Sequence, residues 1–531
     1  MFTGLDQEPK SAAIVIEGKK ITDVIDYDLS EEMYPDYQVT DYGNQMIMPS
    51  FIDAHTHMFN GAVNASDYVC NTLGSCSSQE ECVEMVKKFA ENHPDLKRIR
   101  AIGWFVGAWN DAPLPDKRSL DKVFPDIPVY MVCADGHSFW LNSKAIEECG
   151  LSDDYSVENG QVCHLEDGSL SGLLIEPAAC APAMEKYMDF TMEEKEELHK
   201  QFQKLLISKG IGALSDMSAD EYTDEIRVDY HFMNAMDWED ELHTHIYVYP
   251  RLFGYTDFTK YAEFQKEFES EHFHISGVKG FIDGVTETYT GLLLEPYTDC
   301  PDTCGEGLPL WPQDKMQQEI IAANKEGIQV RLYCIADGSV RMALDMYEVS
   351  NKVNNRNDCR NTIEHIENIH PDDLARFDEL KVIPSMQPYH VVLSNNGKIW
   401  RIGKERAKLE FPVRSVLAAC NDLALGTDYP VVDIDPFLTI YAACTRFDLE
   451  GKEICQNRLD QTITMAETLK AYTIAGAKVY GEEERMGTIE KGKLANIIVL
   501  NHNLFDVKAE EILNTKVVTN YFEGREVYHE E

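Results

Sequence analysis

Along the middle of the chain, short apolar runs alternate with longer amphipathic segments. The runs fall near residues 47–52, 129–132, 212–215, 246–249, 278–282, 329–332, 362–363, 382–385 and 423–425. The segments between them carry helix start and stop signals. Thr191-Met192-Glu193-Glu194 is a capping box, Leu198, Phe202, Leu205 and Leu206 form a stripe at helical spacing, and Gly210 marks the end. Thr464-Met465-Ala466-Glu467 is a second capping box. This alternation predicts βα units around a parallel sheet. The chain ends differ. Residues 12–24 predict two short strands about a Glu-Gly-Lys turn, 493–500 a strand, and 516–529 a hairpin turning at Glu523-Gly524. A small β domain built from both ends is therefore expected beside a central α/β domain. Nine central strands exceed the eight of a closed barrel, so at least one belongs to an insertion.

Length fits this picture, since 531 residues accommodate a barrel of roughly 250 to 400 residues with an accessory domain. Charge narrows the partners. The chain has 48 basic and 92 acidic residues, a formal net charge of −44. Such a surface repels phosphate backbones and anionic lipid, so neither nucleic acid nor a membrane is expected as a partner. No run of about 18 apolar residues occurs, and the start, MFTGLDQEPK, lacks an apolar stretch behind a basic one. Neither a membrane span nor a signal peptide is expected. The fourteen cysteines are scattered, and Cys300 and Cys304 lack a second pair at zinc-ribbon spacing. Reduced thiols in a cytoplasmic protein are the expectation.

Candidate chemistry lies at strand ends. Three His-x-His triplets occur: His55-Thr56-His57, His243-Thr244-His245 and His272-Phe273-His274. Alternate residues of a strand point to one side, so two such imidazoles can grip one cation. Only His55 and His57 follow an apolar run; the other two triplets precede theirs and are expected to be structural. Active sites of parallel barrels lie at the C-terminal ends of the strands. Lys279 interrupts Gly277–Ile282, His365 follows Thr362-Ile363-Glu364, and Asp428 follows Leu423–Thr427. Singly, these fit an edge lysine reaching water, a satisfied core histidine and a helix N-cap. At successive strand ends behind a His-x-His, they point to a metal site.

The ordered set resembles the amidohydrolase superfamily, in the branch that includes N-substituted formamide deformylases. The resemblance rests on Met48–His57, Asp135–Ala145, Val278–Gly284, Ile363–His365, Ser385–Pro388, Ala424–Pro430 and Gly487–Asn496. It implies a TIM-like (β/α)8 barrel over 50–483, with an insertion around 60–200, and a β-sandwich made from 1–49 and 484–531. It further implies one or two divalent metals, zinc by donor type. His55 and His57 would bind the first, His365 the second, and a carboxylated Lys279 would bridge them. Asp428 would touch the first metal and shuttle protons, and His137 would help to stabilise charge on the carbonyl oxygen. The implied reaction is hydrolysis of a C–N bond in a small amide-like substrate. A homodimer is the default assembly.

One departure stands out. The family has a histidine ligand where this chain has Tyr333. A phenol has a pKa of about 10 and binds a cation well only after losing its proton. A weakened second site, a tyrosinate ligand, a mononuclear enzyme and a disabling substitution all stay open. So do a deaminase, decarboxylase or isomerase on the same frame, and an impaired binding protein. Trp104, Phe105, Trp109, Phe139 and Trp140 could line an aromatic substrate pocket, although core packing explains them equally well.

Overall fold

The N-terminal segment forms a hairpin, β1 (Ala13–Glu17) and β2 (Lys20–Ile25), turning at Gly18-Lys19. The apolar run at 47–52, expected as one strand, is two. In the computed structural model, which describes residues 1–106, 109, 114–134, 136–158, 160–219, 224–252, 258–393, 398–420, 422–454 and 458–530, the run divides at Ser50 into β3 (Met46–Pro49) and β4 (Phe51–Thr56). The division follows from where consecutive amides find acceptors. Ser50 N–H donates to Asn496 O, whereas Phe51 N–H donates to Gly210 O. Each amide is satisfied in a different sheet, and the chain steps from one to the other.

Residues 60–202 make a compact unit of their own. Its sheet contains β5 (Val69–Cys70), β6 (Ile99–Trp104), β7 (Val129–Cys133), β8 (Ser138–Leu141), β9 (Gln161–His164) and β10 (Leu170–Ile175), in the order β5-β6-β7-β8-β10-β9. The apolar run at 129–132 belongs here. Trp104, Trp109 and Trp140 pack against one another, with ring centres 6.1 to 6.4 Å apart, inside this unit's core. Phe139 is buried against Tyr187. Core packing therefore accounts for these four aromatics in place of a substrate pocket, and Phe105 is exposed.

The other unit, residues 1–59 and 203–531, carries eight further central strands. They are β11 (Ile211–Asp216), β12 (His245–Val248), β13 (Phe273–Ile275), β14 (Gly277–Phe281), β15 (Gln329–Cys334), β16 (Thr362–His365), β17 (Ile383–Met386) and β18 (Ala424–Leu425). β4, β11, β12 and β13 form one parallel sheet, and β14 to β18 form a second in chain order. Two isolated parallel bridges, Arg251 with Lys279 and Thr56 with Tyr429, join the sheets. β4 and β11 are buried at every position, as strands covered on both faces must be. Helices such as Gln313–Lys325, Asp337–Asn354 and Val413–Cys420 separate the later strands.

The ends of the chain share one antiparallel sheet, ordered β21-β20-β19-β3, with β19 (Ile497–Leu500), β20 (Val517–Phe522) and β21 (Arg525–His529). Its last hairpin turns on Glu523 and Gly524, at φ +51° and +79°. A two-residue turn with both φ positive matches the right-handed twist of its strands. Both capping boxes form: Thr191 and Glu194 exchange backbone and side-chain bonds, and so do Thr464 and Glu467. Cys300 and Cys304 form a disulfide across a Cα separation of 5.5 Å, which corrects the expectation of thiols at this pair. The other described cysteines are free. Among the described residues, no helix is long and apolar enough to cross a membrane.

Candidate metal centre

Two strand ends, β4 and β18, meet because Gly426 has no side chain. A Cβ there would lie 2.5 Å from the His55 nitrogen and 2.8 Å from Asp53 Oδ1. Asp53 fastens the junction by accepting Thr427 N–H at 3.0 Å, the Thr427 hydroxyl at 2.8 Å and His55 N–H at 3.1 Å. Asp428 N–H donates to His55 O at 2.6 Å, and His57 N–H to Tyr429 O at 2.8 Å. Asp428 and His365 both sit at positive φ, +63° and +74°. Residues with a Cβ hold that conformation only where their surroundings impose it, and such positions cluster at functional sites.

The Asp428 carboxylate is the hub. Its Oδ1 lies 2.8 Å from His57 Nε2 and 3.5 Å from His55 Nε2. Its Oδ2 lies 3.6 Å from His390 Nε2 and 4.0 Å from His365 Nδ1. Two donor sets therefore share one carboxylate: His55, His57 and Asp428, and His365, His390 and Asp428. Within each set the donor atoms lie within 4.8 Å of one another. The residues fit a cation by a second test. His365 Nδ1 and His390 Nε2 are buried without a hydrogen-bond partner. Each such orphan costs on the order of 1–3 kcal/mol, which a cation among them would relieve. Imidazole and carboxylate donors suit zinc and similar divalent ions.

A buried ion pair orients the first histidine. His55 Nδ1–H donates to Glu364 Oε2 at 2.7 Å, and Glu364 Oε1 accepts from Arg331 Nε at 2.7 Å. Arg331 also donates to Ser215 Oγ and to Ala54 O, each at 2.7 Å. Arg331 and Glu364 are both 0% exposed. Burial opposes the Glu364 charge, but the Arg331 guanidinium and His55 outweigh it and hold the carboxyl below its ordinary range. Burial, then the Lys279 charge, lowers His55 to about 4, so its ring is neutral. With Nδ1 committed to Glu364, the bare Nε2 faces Asp428, the arrangement by which carboxylates orient metal-binding histidines.

Lys279 on β14 does not reach water. It is 1% exposed, and burial pulls its ammonium down to about 8. Its Nζ lies 5.8 Å from the centre of the Tyr333 ring. Tyr333, on β15, packs its ring edge-on against His365 with centres 4.4 Å apart. Burial, followed by the Asp283 and Asp428 charges, pushes its phenol well above 10.

The fold thus brings His55, His57, His365 and Asp428 together, with Lys279 and Tyr333 beside them. His137 lies in the 60–202 unit, exposed, with Nδ1 3.1 Å from Glu176 Oε2. Sequence reasoning missed His390, in the short 3-10 segment Pro388–Leu393 that follows β17. Its one signal was a position four residues past the end of that strand.

The amidohydrolase family pattern matches residues 38–528. The protein LONG AFTER FAR-RED 3 of Arabidopsis thaliana is 27% identical over 500 residues, covering 91% of this chain and 82% of that one. The N-substituted formamide deformylase of Arthrobacter pascens is 23% identical, covering 96% and 94%. Among solved structures, a metal-dependent hydrolase from Pyrococcus horikoshii OT3 superposes with a TM-score of 0.78 at 23% identity, covering 96% of this chain and 97% of that one.

Proposed function

The chain belongs to the amidohydrolase family and is a metal-dependent hydrolase; we propose that it cuts the C–N bond of a small amide, with N-substituted formamides as the first class to test. The observation that carries this reading is Asp428, one buried carboxylate 2.8 to 4.0 Å from four imidazole nitrogens. The parallel strands close into a TIM-like (β/α)8 barrel in this reading, β13 and β14 sharing one of the eight places beside β12, with the Arg251–Lys279 and Thr56–Tyr429 bridges as its seams. The antiparallel sheet shared by both chain ends belongs to a β-sandwich.

His55, His57 and Asp428 would hold one divalent cation, zinc by donor type, and His365 and His390 form the second seat with the other Asp428 oxygen. Bound there, the cation supplies Lewis acidity, polarising the carbonyl and lowering the pKa of water from 15.7 toward about 7. Asp428 accepts a proton from the attacking water and returns it to the departing nitrogen. Glu364 keeps His55 in the tautomer that presents Nε2. Lys279 carries a carbamate: its ammonium gives up one proton, the free amine nitrogen bonds the carbon of CO2, a second proton leaves, and a buried cation becomes a carboxylate. Tyr333 stands beside His365, where burial and the Asp283 and Asp428 charges favour its neutral phenol over a tyrosinate ligand.

The test is turnover of N-substituted formamides and simple amides by zinc-supplemented protein, with released amine and acid quantified. Amine release that disappears in Asp428→Asn supports the proposal. Full zinc loading with no C–N product across the panel rejects it. A second reading, an impaired enzyme retained for binding, rests on Tyr333 alone and is separated by Tyr333→His.

A further inference from the structure

The remaining His-x-His triplets do not lie idle in the core. His245 opens β12, and His272 immediately precedes β13. Facing both is Glu523, whose side chain turns inward from the tip of the β20–β21 hairpin. His272 Nε2 lies 3.2 Å and His245 Nε2 3.7 Å from Glu523 Oε1, and the imidazole centres are 4.9 Å apart. We propose that His245, His272 and Glu523 form a second divalent-metal site, a structural zinc that pins the C-terminal hairpin to the N-terminal ends of β12 and β13.

Three observations carry this. Spacing is the first. Ligands about 2.0–2.1 Å from a tetrahedral zinc stand about 3.3 Å from one another, close to the two separations found. Orphaned atoms are the second. Both ring nitrogens of His245, together with His272 Nε2 and Glu523 Oε1, are buried without a hydrogen-bond partner, and His245 is 0% exposed. The third is the outer layer. His272 Nδ1 is bonded to the Asp237 carboxylate, which also accepts His272 N–H at 2.9 Å. A carboxylate behind an imidazole is the usual support of a metal-binding histidine. Lys19 Nζ, 2.8 Å away, pairs with Glu523 Oε2 and leaves Oε1 to face the histidines.

A metal-free alternative is a protonated His272 held between Asp237 and Glu523. It satisfies His272 but leaves both nitrogens of His245 buried and unpaired, at a cost that native interiors avoid. A cation bound by all three side chains removes the His245 Nε2, His272 Nε2 and Glu523 Oε1 orphans together, and a water completes the tetrahedron.

The site is separate in sequence from Asp428 and can be tested apart from the hydrolase reading. Zinc per chain is measured in wild-type protein, in His245→Gln with His272→Gln, and in Asp428→Asn. The double variant should lose one equivalent and melt earlier, with turnover per catalytic zinc unchanged within twofold. Asp428→Asn should keep that equivalent. An unchanged zinc count in the folded double variant overturns the proposal. Anomalous diffraction at the zinc edge on wild-type crystals needs no variant: a peak among residues 245, 272 and 523 supports the site. A peak near Asp428 with none there refutes it.

Discussion

At the residue scale, one carboxylate and one buried ion pair set the chemistry. Asp428 faces four imidazole nitrogens, so Asp428→Asn should lower kcat by about 10²–10⁴-fold, the usual weight of a positioned acid–base group. Circular dichroism on the same sample would separate this from unfolding, and a loss under tenfold would argue against the role. Glu364 matters through stability as well as orientation. Glu364→Gln leaves Arg331 charged and fully buried without its counter-ion, a loss of about 3–5 kcal/mol readable in urea denaturation. Tyr333 is the informative departure. Histidine at 333 would supply an imidazole next to His365 where a protonated phenol now stands, so Tyr333→His should raise zinc content and turnover together. A rise in neither would mean that His390 already completes the second seat.

At the element scale, the site depends on how closely two short strand ends approach. β18 has only two residues in its ladder, and Gly426, just beyond it, lies where a Cβ would meet the backbone of His55. Gly426→Ala should therefore cost about 1–3 kcal/mol in thermal unfolding and reduce activity, because the clash pushes Asp428 away from His55 and His57. An alanine variant of full activity and unchanged Tm would show that the junction can spread. Helix boundaries were legible in the sequence because caps are local. The division at Ser50 was not, because it depends on Asn496 and Gly210, partners hundreds of residues apart.

At the scale of the whole molecule, the net charge of −44 works against compactness. Raising ionic strength from about 0.01 M to 0.15 M shortens the Debye length from about 30 Å to about 8 Å and screens that repulsion. The melting temperature should rise across this range in metal-free protein. A flat or falling curve would mean that the acidic groups are locally compensated. Zinc should add a further rise that grows with the logarithm of free metal, about 2.7 kcal/mol at a hundred times the dissociation constant. Calorimetry with and without a chelator checks it.

By itself, the amino-acid sequence determined what depends on near neighbours and on periodicity. That includes the βα rhythm, the capping boxes at Thr191 and Thr464, the turn at Glu523-Gly524, and histidines spaced to share one side of a strand. Tertiary structure alone decided which side chains meet. It set His390 opposite Asp428, put Glu364 and Arg331 behind His55, packed the tryptophans into a core and joined Cys300 to Cys304. The reason is physical. Caps and turns are energies of a few adjacent residues, whereas a shared carboxylate or a filled core is a property of strand ends brought together from distant parts of the chain.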